Sequence, residues 1–125
     1  MSKAHELHDE LVAAGRQLRE KIPDVYAGYA RMSKAAMAGG ELPARMRELI
    51  ALAIAVTREC DGCIAAHARG AARQGAGEQE VADALGVTIL MNGGPGTVWA
   101  PRAFAAFREF AGSSQPAVPP PAASP

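Results

Sequence analysis

The chain has 125 residues, enough for one hydrophobic core. Apolar residues make up 49% of it but aromatics only 5%, so Ala, Leu, Ile, Val and Met must fill the interior and helices can approach closely. Thirteen basic residues balance thirteen acidic ones and both signs are interspersed, which leaves no basic stripe to track a phosphate backbone and argues against nucleic acid as a partner.

Leu7, Leu11, Ala14, Leu18 and Ile22 recur at helical spacing between charged neighbours and predict an amphipathic helix over about 3–21, ended by Pro23. A second helix is expected over 24–38, with Val25, Tyr29, Met32 and Ala36 on one stripe and Gly39-Gly40 as its stop. Pro43 suits the first turn of a third helix. Its stretch 49–56 has no polar face and is expected to be buried on all sides as the central core helix. An Ala-rich segment beginning near Cys60 and running to Arg73 predicts a fourth helix. Val81, Leu85, Thr88 and Ile89 mark a fifth over 78–91, broken by Asn92-Gly93-Gly94-Pro95. The last is expected from near Gly96 to Phe110, kinked or restarted at Pro101, with Val98, Phe104 and Phe107 as its apolar members.

No alternating β-branched run marks a strand, so the fold class is all-α, a bundle of about six helices over 1–112. The remainder, 113–125, holds five of the chain's nine prolines and little to bury, and is expected to be a disordered Pro-rich tail. The N-terminus lacks the apolar core of a secretory signal and no apolar run is long enough to span a bilayer, which places the expected location in the cytoplasm, away from membranes. Two cysteines three residues apart in a reducing compartment suggest redox or metal chemistry, because a disulfide between them would constrain little of the unfolded chain.

The chemistry concentrates in Glu59-Cys60-Asp61-Gly62-Cys63-Ile64-Ala65-Ala66-His67. On a helix, Cys60, Cys63 and His67 share a face. A free thiol with a pKa of about 8.5 is mostly protonated at neutral pH, so a redox cysteine needs help to ionise. Unpaired N–H groups at a helix start, His67 one turn beyond Cys63, and a carboxylate acting as base can each supply it. Glu48, at the border of the apolar third helix, is the best carboxylate candidate, although spacing alone does not bring it to Cys63. A second sulfur then allows a cycle, since it can attack the first once that has reacted and close a short disulfide ring.

These residues resemble the AhpD-like alkylhydroperoxidases of the carboxymuconolactone decarboxylase superfamily. The resemblance rests on Glu48 twelve residues before Cys60, on Cys60-x-x-Cys63-x-x-x-His67, on Leu42-Pro43, and on the stretch from Gly93 through Pro95, Trp99 and Pro101 to Phe107. It implies that Cys63 is the reactive thiol, Cys60 its resolving partner, and Glu48 and His67 a proton relay serving Cys63. It implies a small hydroperoxide or protein disulfide as substrate and a lipoyl protein or thioredoxin-like reductant as electron donor, with no bound organic cofactor. It further implies a homotrimer or homohexamer with the active site near a subunit boundary. Characterised peroxidase members often carry a second relay histidine just before the distal cysteine, where this chain has Gly62.

Other readings of the same residues stay open at this point. Cys60, Cys63 and His67 supply three ligands for a metal-binding or sensing module, which a fourth group would have to complete. A decarboxylase-type activity on a small lactone would need neither cysteine, and the decarboxylases that name the superfamily lack the pair. Glu48 could instead pair with Arg45 on a solvated helix face. His5 and His8 are expected to be exposed, the methionines 32, 37, 46 and 91 to pack in the core or at an interface, and Trp99 to line the pocket or an interface.

Overall fold

A computed structural model describes residues 3–114, and all of its regular structure is helical: α1 (Lys3–Lys21), α2 (Pro23–Met37), α3 (Ala44–Thr57), α4 (Asp61–Arg73), α5 (Glu78–Asn92) and α6 (Gly94–Ser114). The all-α expectation holds. Most of the Pro-rich tail lies outside the described residues, and α6 continues through Ser114, past the expected end at Phe110. Pro101 neither restarts nor ends α6, which runs through it as one helix.

Helix α4 is the centre of the fold. It packs most extensively on α6 and α3, while α5 lies on α6 and α3, and α1 rests on α4 and α6. Its buried stripe is Ile64, Ala65, Ala68, Ala71 and Ala72, three of them with no exposed surface, and α6 answers with Ala100, Ala103, Ala106, Phe107 and Phe110. With methyl groups on both sides the two backbones come close, as the composition foretold. Val81 and Leu85 of α5 and Leu49, Leu52 and Val56 of α3 complete the core.

Three helices are less covered than their apolar patterns promised. The 49–56 stretch of α3 is not buried all round: Leu52 is 1% exposed but Ile50 is 47% and Ile54 57% exposed, because α4, α5 and α6 leave one face uncovered. The α2 stripe of Val25, Tyr29 and Met32 faces outward, each more than 60% exposed, and among the described residues α2 touches only α1 and α3. Met46 and Met91 are likewise exposed, and Val98 is not part of the α6 core face. Leu11 and Leu18 of α1, and Ile22 just beyond its end, stay partly open to solvent. His5 and His8 depart from expectation in the other direction, being half-buried with their rings 4.4 and 6.2 Å from that of Phe110.

The junctions are tight. Arg47 gathers the loop after α2 by donating to the carbonyls of Leu42, Ala36 and Gly39. Gly93, at φ 68°, makes the reversal between α5 and α6, where Asn92 Nδ2 donates 3.0 Å to Thr57 Oγ1 and ties the corner to α3. A side chain at Gly96 would meet the α5 backbone at Ile89, 3.0 Å from an added Cβ.

Candidate active site

The turn from α3 to α4 sets the first sulfur. The Cys60 N–H reaches back to the Ala55 carbonyl at 3.1 Å and the Glu59 N–H to that of Val56 at 3.0 Å, a helix-stop pattern that demands a left-handed residue. Glu59 fills that position at φ 52°, the one left-handed residue other than glycine among those described. The chain therefore turns within three residues and begins α4 with Cys60 as its N-cap.

Cys60 Sγ takes the role that a serine or aspartate oxygen usually has, accepting the Cys63 N–H at 3.2 Å. The two cysteines form a disulfide with their Cα atoms 5.2 Å apart. Cys63 is exposed and Cys60 half-buried, so an outside reactant meets Cys63 more readily. The positive end of α4 favours negative charge on a sulfur at this terminus, above all on the capping one.

One turn further along α4, His67 Nδ1 lies 3.0 Å from Glu48 Oε2 on α3. The carboxylate side chain is 14% exposed and the imidazole 33%, so the pair is sheltered but reachable. Glu48 could approach α4 this closely because residue 70 is glycine: a Cβ there would stand 2.2 Å from Oε2 and 2.4 Å from the carboxyl carbon. Arg45, the other partner considered for Glu48, turns instead to Glu80, with Nε 3.1 Å from Oε2. All four residues singled out from the sequence thus lie along one edge, where α3 meets the first two turns of α4.

Three contributors were not picked out from the sequence. Gly70 makes the seat for Glu48, and its signal was a glycine inside an Ala-rich helix, where Ala would be about 1 kcal/mol more favourable, three residues after His67. Leu11 of α1 roofs Gly62, the residue just before the distal cysteine, its Cδ1 standing 2.7 Å from a Cβ built there. Glu59 carries the turn, and nothing in its residue type announces a left-handed conformation. Trp99 is half-buried against the core with the Arg102 guanidinium 4.5 Å above its ring. Among the described residues, no group of three or more His, Cys, Asp or Glu side chains is arranged to hold a metal ion.

The sequence profile of the carboxymuconolactone decarboxylase family matches residues 23–109, from the start of α2 almost to the end of α6. The chain belongs to the carboxymuconolactone decarboxylase family. Among its relatives, an uncharacterised protein of Cupriavidus necator is 37% identical over 105 residues, spanning 82% of this chain and 93% of that one. A second, described as uncharacterised protein 4 in the cox locus of Paracoccus denitrificans, is 34% identical over 85 residues, 68% of this chain and 77% of its own. Among solved structures, the apo crystal structure of a carboxymuconolactone decarboxylase family protein from Legionella pneumophila matches with a TM-score of 0.86 at 31% identity, over 89% of this chain and 99% of that one. The six-helix arrangement of this family member is therefore the AhpD-like fold that its motifs resembled. Among the described residues, no helix is long and apolar enough to cross a membrane.

Proposed function

We propose that this family member is a thiol–disulfide oxidoreductase of the AhpD-like type, reducing small hydroperoxides or protein disulfides in antioxidant defence. The observation that carries the reading is the Glu48–His67 pair, 3.0 Å apart and one helical turn beyond a vicinal cysteine pair at a helix N-terminus. A histidine held by a buried-side carboxylate is oriented to take a proton, and Cys63 is the exposed group whose ionisation would need it.

In the reduced enzyme, His67 accepts the Cys63 proton while Glu48 fixes the ring and stabilises the imidazolium. The Cys63 thiolate attacks the distal peroxide oxygen, the O–O bond breaks, and the alkoxide leaves as alcohol after taking that proton. Cys63 becomes a sulfenic acid. Cys60 then attacks the Cys63 sulfur, water departs, and the disulfide forms. A dithiol donor, such as a lipoyl group or a thioredoxin-like protein, attacks the exposed Cys63 sulfur and expels Cys60, whose thiolate is a good leaving group where the Cys63 N–H and the α4 terminus stabilise it. The donor's second thiol then attacks its own bonded sulfur, releasing the Cys63 thiol and leaving as a disulfide. With a protein disulfide as substrate the same two sulfurs run the exchange without a sulfenic step.

The deciding experiment is the rate at which fully reduced, metal-free protein loses two thiols to an organic hydroperoxide at neutral pH, with Cys63→Ser as control. Oxidation far faster than that of a free thiol, and lost in the variant, supports the peroxidase reading. Oxidation no faster than a free thiol's rejects it and leaves disulfide exchange. Turnover of a small lactone that survives replacement of both cysteines would instead favour decarboxylase-type chemistry.

We also read the protein as a homo-oligomer, a trimer or hexamer. Two uncovered apolar surfaces support this: the α2 stripe of Val25, Tyr29 and Met32, and a cavity of about 520 Å³ between α3 and α5 lined by Ile50, Ile54, Val87 and Met91. Helical periodicity puts that cavity on the face of α3 opposite Glu48, so it can be covered without closing the dithiol edge.

A further inference from the structure

The dithiol and its relay use the side of α4 that faces α3. The side facing α1 carries a different cluster. There a cavity of about 560 Å³ opens between α1, α4 and α6, with His5, His8 and Asp9 contributed by α1, Arg69 and Arg73 by α4, and Phe110 by α6. Phe110 is 1% exposed and forms an apolar floor under both imidazoles. None of these groups takes part in the thiol chemistry proposed above.

The charges in this cleft are out of balance. Arg69 and Arg73 stand four residues apart on one helix, a like-charge spacing that opposes helix formation. Among the described residues neither has a carboxylate within ion-pairing distance: the three ion pairs use Arg45, His67 and Arg108. Among the described residues Asp9 is the one acid lining the cavity, and it attracts Arg69 only from a distance. The neighbouring carboxylate of Glu109 is engaged with the Ala4 N–H at 3.0 Å, at the start of α1. Burial and the proximity of Arg73 make the Arg69 proton easier to lose than usual, and burial followed by Arg69 does the same to His8. Arg73 has an ordinary reason to be where it is, since the last turn of a helix favours a cation. Arg69, mid-helix and half-buried, has no such reason.

We propose that the cleft between α1, α4 and α6 is a binding site for a small anion presenting carboxylate or phosphate oxygens to Arg69 and Arg73. The guanidinium fork suits paired oxygens, and an anion would relieve the repulsion between the two arginines. The cavity falls within the size range of small-molecule sites, and the Phe110 floor accommodates the apolar body of an organic acid as readily as it walls off a bare oxyanion. Bound charge stabilises the imidazolium of His8, so occupancy raises the pH at which that ring titrates.

The test uses the full chain with inorganic phosphate and benzoate as separate probes, ionic strength held constant with chloride, and reads calorimetric binding together with the His8 ring titration by NMR. Saturable binding of either probe, an upward shift of the His8 titration at saturation, and binding at least about tenfold weaker in Arg69→Gln support the site. Arg73→Gln, at an exposed position, serves as a second variant and should weaken binding as well. Preference for phosphate or for benzoate identifies which source of oxygens the cleft takes. Absence of saturable binding by both probes, or binding unchanged in both variants, overturns the proposal. Because thiol oxidation is not among these readouts, the outcome is independent of the redox reading.

Discussion

Glu48 Oε2 and His67 Nδ1 lie 3.0 Å apart, and the contact exists because residue 70 has no side chain. Removing the charge with Glu48→Gln should slow Cys63 oxidation by about 100-fold. Gly70→Ala should slow it comparably while leaving the fold intact or stabilising it by up to about 1 kcal/mol, since alanine suits a helix better and the flexible carboxylate can swing away. In the double variant the two losses should not add, because both remove the same contact. Stopped-flow thiol loss and thermal melts on the four proteins check this, and additive rate losses would separate Gly70 from Glu48.

The two cysteines should fail in different ways. Cys60→Ser should still react with hydroperoxide and stop at a Cys63 sulfenic acid, or stop at a mixed disulfide with a disulfide substrate. Cys63→Ser should accumulate neither. Mass spectrometry after trapping distinguishes them, and trapped adducts on Cys60 would reverse the assigned roles.

Glu59 holds a left-handed conformation in the residue immediately before the first cysteine. Glu59→Gly should stabilise the protein by about 1 kcal/mol, raising its melting temperature by a few degrees. Calorimetry reads the change. A lower melting temperature would mean that the Glu59 side chain contributes more than its backbone strain takes away.

Glu80 contributes an acid dependence. The Gly77 N–H and then Arg45 hold its carboxyl below the usual value of 4.5. Its folded pKa being depressed, its contribution to stability is complete above about pH 4.5 and is lost as the pH falls through the lower folded value. Glu80→Ala should therefore melt below wild type at neutral pH, with the gap closing in acid. The effect should be small, because the side chain is 39% exposed and the partner Arg45 44%. A gap that persists at pH 2 would have to come from something other than this charge.

Charging the outward stripe of α2 should lower the oligomeric state. Tyr29→Glu and Met32→Glu place charges at positions that are 65% and 61% exposed in the single chain, so they should not disturb its own core. Light scattering on chromatographed protein reads the mass, and an unchanged oligomer would remove α2 from the contact.

Local patterns made the helices and the dithiol legible. Leu7, Leu11 and Leu18 at helical spacing, with Pro23 as the stop, marked α1, and Cys60, Cys63 and His67 follow from a 3.6-residue repeat. What could not be read was contact between elements. Glu48 reaches His67 only after α3 and α4 have packed, and His5 and His8 meet Phe110 across more than a hundred residues of chain. Exposure of Ile50, Ile54 and the α2 stripe was hidden for the converse reason: an apolar residue reads alike whether its own chain covers it or another copy does.

Ala68, Ala71 and Ala72 of α4 have no exposed surface, and Ala103 of α6 none either. A seam of this kind has no rotamers with which to absorb a misfit. Any added methylene must push the whole rod, and Cys60, Cys63 and His67 travel with it as one piece. Alterations deep in the bundle would thus reach the sulfur edge as a rigid displacement, and the seam acts as a ruler for chemistry it never touches.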